Sequence, residues 1–252
     1  MLAWACVAPV PAARRFVRSW WPMILFWLSY DVMRIFSSNL FSRVSVEAPY
    51  RWESAIFPAP DGSIWPFFFA RWTAAHSADL WFRPLEIYCN LIYLSQMFAI
   101  PAVLFVLWFR GSAHFKPLIW SFAILHAITL VIYFAYPAAP PWWVWENGLA
   151  VPTPQRSMPH GLERGSVLAG LFHLSPNRFA AIPSLHGAYP VLLTVVLAFR
   201  REKWKMTACA GIYAASMWFA CVFLNQHYII DLLIGAALVI PASAALRFFK
   251  TA

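Results

Sequence analysis

Apolar positions in this chain fall in long runs that do not alternate with polar ones, and the charged residues lie between those runs. A helix needs about 20 mostly apolar residues to cross a bilayer. Such runs lie at Trp20–Phe36, Ile87–Phe109, Pro117–Tyr136, Pro183–Phe199, Met206–Leu224 and Tyr228–Phe249, the first and fourth being short. Lipid offers no partner to free backbone groups, so each run is expected to be helical. Strands of a membrane barrel would alternate in short segments instead. The predicted fold class is all-α, a polytopic membrane protein with a six-transmembrane-helix bundle, and residues 1–252 are read as one membrane-embedded domain.

Two long connections interrupt this pattern, Ser37–Glu86 after the first span and Pro137–Ile182 after the third. Both are rich in proline and aromatic residues. The stretch from Ile64 to Trp72, which includes Trp65, Phe67, Phe68 and Phe69, is too short to span. It is expected to lie as an interfacial helix, with its rings at headgroup depth. Trp142, Trp143 and Trp145 in the later connection read the same way, ordinary aromatic-belt packing being the plain alternative for both.

Composition sharpens the membrane reading. Hydrophobic residues make up 62% of the chain and charged residues 12%, roughly half the charged share of a soluble protein. The N-terminal stretch does not have the order of a signal peptide, because Arg14, Arg15 and Arg18 follow the weakly apolar Met1–Ala13 segment. Cys6 lacks the preceding basic region of a lipoprotein signal. Cys89, Cys209 and Cys221 sit in or beside apolar runs, without disulfide or zinc spacing, and read as small buried residues.

Charge orients the chain. With six spans, one side carries Arg14, Arg15, Arg18, Arg110, Lys116, Arg200, Arg201, Lys203, Lys205, Arg247 and Lys250 against a single acid, Glu202. The opposite side balances seven basic residues with seven acids. Positive loops stay inside, so both termini are expected in the cytoplasm. The net charge of +9 is largely this topology signal, and its dispersal over short loops gives no reason to invoke nucleic acid.

Ionisable residues at membrane depth are costly and therefore candidates for function. Four groups fall at the extracytoplasmic ends of the predicted spans. They are Pro183-Ser184-Leu185-His186-Gly187, His227-Tyr228-Ile229-Ile230-Asp231, the Tyr136-to-Pro141 segment with Pro140 and Pro141, and Asp31 with Arg34. Four residues apart, His227 and Asp231 share one helical face. A carboxylate on one ring nitrogen leaves the other basic. Such a histidine is suited to attack phosphorus and carry it covalently. His186 is then placed to protonate the leaving oxygen and later to deprotonate the acceptor. The competing readings are structural histidines at helix starts and a zinc site of two histidines and one carboxylate.

Pro183-Ser184-Leu185-His186 together with His227-Tyr228-Ile229-Ile230-Asp231 resembles the type 2 phosphatidic acid phosphatase superfamily. Its phosphatases carry Pro-Ser-Gly-His and, later, Ser-Arg-x5-His-x3-Asp. The Pro-Ser-Leu-His form, the His-Tyr-x2-Asp form and the Pro-Pro element after the third span are similar to the inositol-phosphorylceramide synthase branch, with sphingomyelin synthases more distant. The motifs occupy about 136–235. The resemblance implies His227 as nucleophile, Asp231 as its orienting partner, His186 as acid and base, and Ser184 holding phosphoryl oxygens. Pro140, Pro141 and Tyr228 join the candidate substrate-binding residues.

This chain departs from the phosphatase pattern where their arginine, six residues before the second histidine, is replaced by Cys221. Their lysine-and-Arg-Pro motif is absent in clear form, and Trp142 follows Pro141 where a basic residue is common. A phosphoryl transition state still needs positive charge. Arg34, Arg156, Arg164 and Arg178 lie on the right face, and Arg178 and Arg34 are the candidates. The resemblance implies transfer of a phosphate-bearing headgroup, inositol phosphate above all, from a phospholipid to a lipid hydroxyl such as that of ceramide. Its partners would be membrane lipids, with no cofactor and no metal. A phosphatase using water at the same site, or a transporter or scaffold, are the alternatives, although transporters place charge at mid-depth.

Overall fold

The computed structural model of the chain describes residues 10–150, 178–199 and 204–247. Regular structure there is helical, with only isolated bridges between extended segments. The elements are α1 (Val10–Phe36), α2 (Glu47–Ile56), α3 (Trp65–His76), α4 (Phe82–Phe109), α5 (Phe115–Ala135), α6 (Pro141–Asn147), α7 (Leu185–Phe199), α8 (Trp204–Phe223), α9 (Ile229–Ala237) and α10 (Val239–Ala242).

Length and composition qualify three helices to cross a membrane: α4, α5 and α8. Their outward faces are apolar, with Leu91, Phe98, Val131 and Ile212 all more than 60% exposed, as lipid-facing positions should be. The remaining predicted spans differ from a simple crossing. Helix α1 begins about ten residues before the expected Trp20, because the Arg14–Arg18 stretch is as helix-compatible as the apolar run it precedes. At 15 residues, α7 is about 22 Å long, less than a hydrocarbon core. The last predicted span, Tyr228–Phe249, is broken into α9, α10 and a 3-10 turn at Ser243–Arg247. Pro241 explains the break, since it has no N–H to give Ala237 and its ring crowds that carbonyl.

The core joins α1, α5 and α7 through Trp20, Phe122, Leu125, Tyr189 and Leu192. A buried polar contact crosses it: His126 Nε2 meets Ser29 Oγ at 3.0 Å, and its Nδ1 meets the Tyr189 hydroxyl at 3.4 Å. Trp143 and Trp142 are enclosed by protein, packed with Phe179 and Val46. Trp145 alone of that trio is exposed.

Candidate active site

The Pro-Ser-Leu-His and His-Tyr-x2-Asp segments are tied together by their backbones. Ser184 opens α7, its Oγ accepting the Gly187 N–H at 3.1 Å as an N-cap. Its own N–H donates to the Asp231 carbonyl at 3.0 Å, which locks the start of α7 onto α9. The crossing is close enough to require glycine. A Cβ on Gly235 would stand 2.2 Å from the Ser184 carbonyl oxygen, and one on Gly187 would stand 2.9 Å from Leu232 Cα. From α8, the Trp218 indole donates to the Gly187 carbonyl at 3.1 Å.

The turn before α9 is shaped by the end of α8. Asn225 adopts a left-handed conformation, φ 58°, a common way to end a helix. Cys221, fully buried at the position of the phosphatase arginine, accepts the N–H groups of Gln226 and His227 on its carbonyl at 2.9 and 3.2 Å. The Asn225 carbonyl accepts the Trp142 N–H at 3.0 Å, so the Pro140-Pro141 element is fastened beside the His227 turn. Upstream, Ala138 N–H donates to the Phe179 carbonyl at 2.8 Å and Ala139 N–H to the Ser45 carbonyl at 2.9 Å. Three segments far apart in sequence thus form one layer around the motifs.

Within this frame Asp231 Oδ2 lies 3.3 Å from His227 Nδ1 and accepts the Tyr228 N–H at 3.0 Å. His227 Nε2 in turn lies 3.3 Å from His186 Nδ1. Asp231 is fully buried, His227 nearly so, and His186 partly exposed, so the row runs from the protein interior to an accessible edge. With Asp231 accepting from Nδ1–H, the His227 Nε2 lone pair is free to accept from His186 Nδ1–H. Asp231 and His186 approach opposite nitrogens of one ring, which is the geometry of a proton relay rather than of three ligands converging on a point. Among the described residues no group of three or more His, Cys, Asp or Glu side chains is placed to hold a metal.

The second half of the chain therefore holds a site of two histidines and an aspartate at the crossing of two helix starts. The sequence model of the PAP2 superfamily matches residues 63–245, most of the chain and all of these residues. The chain belongs to the PAP2 superfamily. It is 26% identical over 228 residues to the phosphoinositol dihydroceramide synthase of Bacteroides thetaiotaomicron, covering 85% of this chain and 71% of that one. It is 28% identical over 156 residues to the inositol phosphorylceramide synthase of Candida albicans, covering 59% of this chain and 32% of that one. The corresponding catalytic subunit of Saccharomyces cerevisiae is 27% identical over 156 residues, which cover 59% of this chain and 38% of the yeast one. This chain thus spans about a third of the length of those fungal relatives. No solved structure matches. These named relatives are synthases, and the chain is an enzyme of this PAP2 superfamily.

The remaining sequence candidates are distributed unevenly. Tyr228 is fully buried as the N-cap of α9, and Pro140 and Pro141 are buried at the start of α6. Arg178 is half-buried just before the Phe179–Ile182 segment that leads to Pro183. The side chains of Asp31 and Arg34, and all of Arg156 and Arg164, lie outside the described residues. Two residues that no motif marked touch the site. Tyr93 of α4 stacks on the His186 ring, 4.3 Å between centroids and 14° from parallel. Glu53 of α2, fully buried, accepts the Ile229 and Ile230 N–H groups at 3.0 and 3.1 Å. Neither was detectable by spacing, since each comes from an element whose packing partner is over ninety residues away in sequence.

The stacked ring sets the plane of His186, so removing it should blur the aim of that group. Tyr93→Leu is expected to lower kcat by about 2- to 10-fold, the worth of one aromatic pair. Tyr93→Phe, which keeps the ring, should retain more activity. Steady-state turnover of the two variants in nanodiscs checks this.

Proposed function

We propose that the chain is a lipid phosphotransferase that moves a phosphate-bearing headgroup, inositol phosphate, from a phospholipid to a lipid hydroxyl such as that of a ceramide. The observation that carries this reading is the row Asp231–His227–His186, with 3.3 Å at each step. The relatives, a phosphoinositol dihydroceramide synthase and an inositol phosphorylceramide synthase by name, support the choice of headgroup and acceptor. In this reading six crossings form one domain, both termini are cytoplasmic, and the site faces the extracytoplasmic side. The positive loops and the clustering of the motifs at one end of the helices support that orientation.

The mechanism follows from the geometry. Asp231 holds the proton on His227 Nδ1 and leaves Nε2 nucleophilic. A phosphoryl group entering between the rings takes over from His227 as the partner of His186. Nε2 attacks phosphorus, the bond from phosphorus to the diacylglycerol oxygen breaks, and His186, entering this step as the imidazolium, delivers one of its two ring protons to that oxygen. Now neutral, His186 accepts the proton of the acceptor hydroxyl as its oxygen bonds to phosphorus and the nitrogen–phosphorus bond breaks. The Ser184 hydroxyl hydrogen remains able to donate to a phosphoryl oxygen, its oxygen already accepting from Gly187. Arg178 and Arg34, with Tyr228, Pro140 and Pro141 shaping the pocket, are assigned to binding the donor.

Incubating the purified enzyme with phosphatidylinositol labelled in the headgroup, with and without ceramide, tests the reading. Label is expected to pass to the second lipid, and acid-labile, base-stable label on protein is expected when the acceptor is withheld. Release of free phosphate from a lipid monoester without transfer would show water to be the acceptor and reject the transferase reading.

A further inference from the structure

We infer that Glu53 is a positioning residue of this site: its buried carboxylate fixes the start of α9 and, through it, the His227–Asp231 pair. The inference rests on the roles given to those two residues above.

The first N–H groups of a helix have no partner within it. At the start of α9 two carboxylates supply them. Asp231 Oδ2 takes the Tyr228 N–H at 3.0 Å, while Glu53 Oε1 takes the Ile229 N–H at 3.0 Å and Oε2 the Ile230 N–H at 3.1 Å. Glu53 therefore uses both oxygens on consecutive residues, one flanked by the nucleophile segment and the other by Asp231. It reaches them from α2, which precedes the region matched by the superfamily. A fully buried carboxylate is costly and persists only where charge-assisted bonds compensate. A simple polar cap would need one acceptor oxygen. Two oxygens on two successive N–H groups fix the rotation of the first turn as well as its place, and that rotation sets where His227 and Asp231 point.

Burial pushes the Glu53 carboxyl up to about 7, against the pull of the Ile229 and Ile230 N–H groups and with an added push from the Asp231 charge. The ionisable groups facing it are Asp231 and Tyr228 of the α9 start, and Tyr50 of its own helix in turn acts on Tyr228. Because its folded-state pKa is raised, the stability contribution of Glu53 is fully present below the ordinary carboxylate range and is lost as pH rises through about 7. Positioning has the opposite sign, since only the ionised carboxylate offers charge to both N–H groups. Activity should therefore rise through about pH 7 while this contribution to stability falls. A purely structural cap would move both in step.

The experiment compares wild type, Glu53→Gln, Glu53→Asp and His227→Asn in nanodiscs, measuring kcat and KM for a phosphatidylinositol donor across pH, together with thermal stability. Glu53→Gln should lower kcat by about 10- to 100-fold with KM within about twofold, and should erase the acid limb near neutrality. Glu53→Asp, which keeps two oxygens, should recover part of the loss. The ring ¹⁵N signals of His227, read without substrate, should shift in Glu53→Gln while those of His126 stay put. Wild-type kcat or an unchanged acid limb in a folded Glu53→Gln, or unmoved His227 signals, would overturn the inference. If Glu53→Gln is unimpaired and His227→Asn is inactive, Glu53 loses its role and the site stands. If both remain active, the site itself is wrong.

Discussion

Replacing His227 by asparagine is expected to reduce headgroup transfer by about 10⁴-fold or more, to the residual rate of binding alone. The side chain lies at the centre of the row, with Asp231 at 3.3 Å on one nitrogen and His186 at 3.3 Å on the other. Asparagine can keep the polar contact to Asp231 but has no nucleophilic nitrogen to bond phosphorus, so the covalent step proposed above would be lost. Asp231→Asn should fall less steeply, because it spoils the tautomer and leaves the nucleophile in place. It also surrenders an acceptor for the Tyr228 N–H, so its loss should come partly as reduced stability, whereas His227→Asn should melt near wild type. Alkali-quenched labelling separates the two cases: His227→Asn should trap no phosphoprotein, and Asp231→Asn should trap it slowly. Undiminished turnover in a folded His227→Asn would remove the nucleophile from the scheme.

Why this row was legible in the sequence, while its supports were not, follows from the range of the interactions. His227 and Asp231 are four residues apart, and helical geometry alone puts them on one face. His186 is expected beside them because membrane spans have two ends, and the expected six-span count puts both motifs at the same end. Nothing local marks Glu53. It lies in a short helix inside the first aromatic-rich connection, and its partners are backbone N–H groups of residues 176 and 177 positions later. Backbone donors carry no sequence signature. The same holds for Tyr93, one aromatic among many in an apolar helix. The burial of Trp142 and Trp143 in α6 has no local mark for a related reason: ring composition marks an interface equally well whether the partner is a lipid headgroup or a neighbouring loop. Trp143 found Phe179 instead. In the last span Pro241 is visible in the sequence as a residue that could kink the helix, but hydropathy does not register the break, because hydropathy counts side chains and the break is a missing backbone donor.

Gly235→Ala is expected to cost about 100-fold in kcat, although residue 235 reaches no substrate. Its Cβ would lie 2.2 Å from the Ser184 carbonyl oxygen, about 1 Å inside van der Waals contact, and the obstacle is backbone rather than a side chain that can swing away. Either α7 or α9 must move by about that distance. The displacement would pull on the bond from Ser184 N–H to the Asp231 carbonyl, 3.0 Å, and so separate His186 from His227. A 1 Å error in the reacting groups is enough to cost two orders of magnitude. Overpacking should also lower stability by about 1–3 kcal/mol. Gly187→Ala, 2.9 Å from Leu232 Cα, should follow with a smaller loss. Gly211→Ala supplies the control: its nearest neighbour is a Thr194 methyl at 3.9 Å, and an alanine inside α8 should be neutral or stabilising. Thermal melts and kcat of the three variants, measured side by side, check the ordering. Equal activity for Gly235→Ala and Gly211→Ala would mean that the crossing of α7 and α9 is looser than the Ser184–Asp231 bond implies, and that the histidine row does not depend on it.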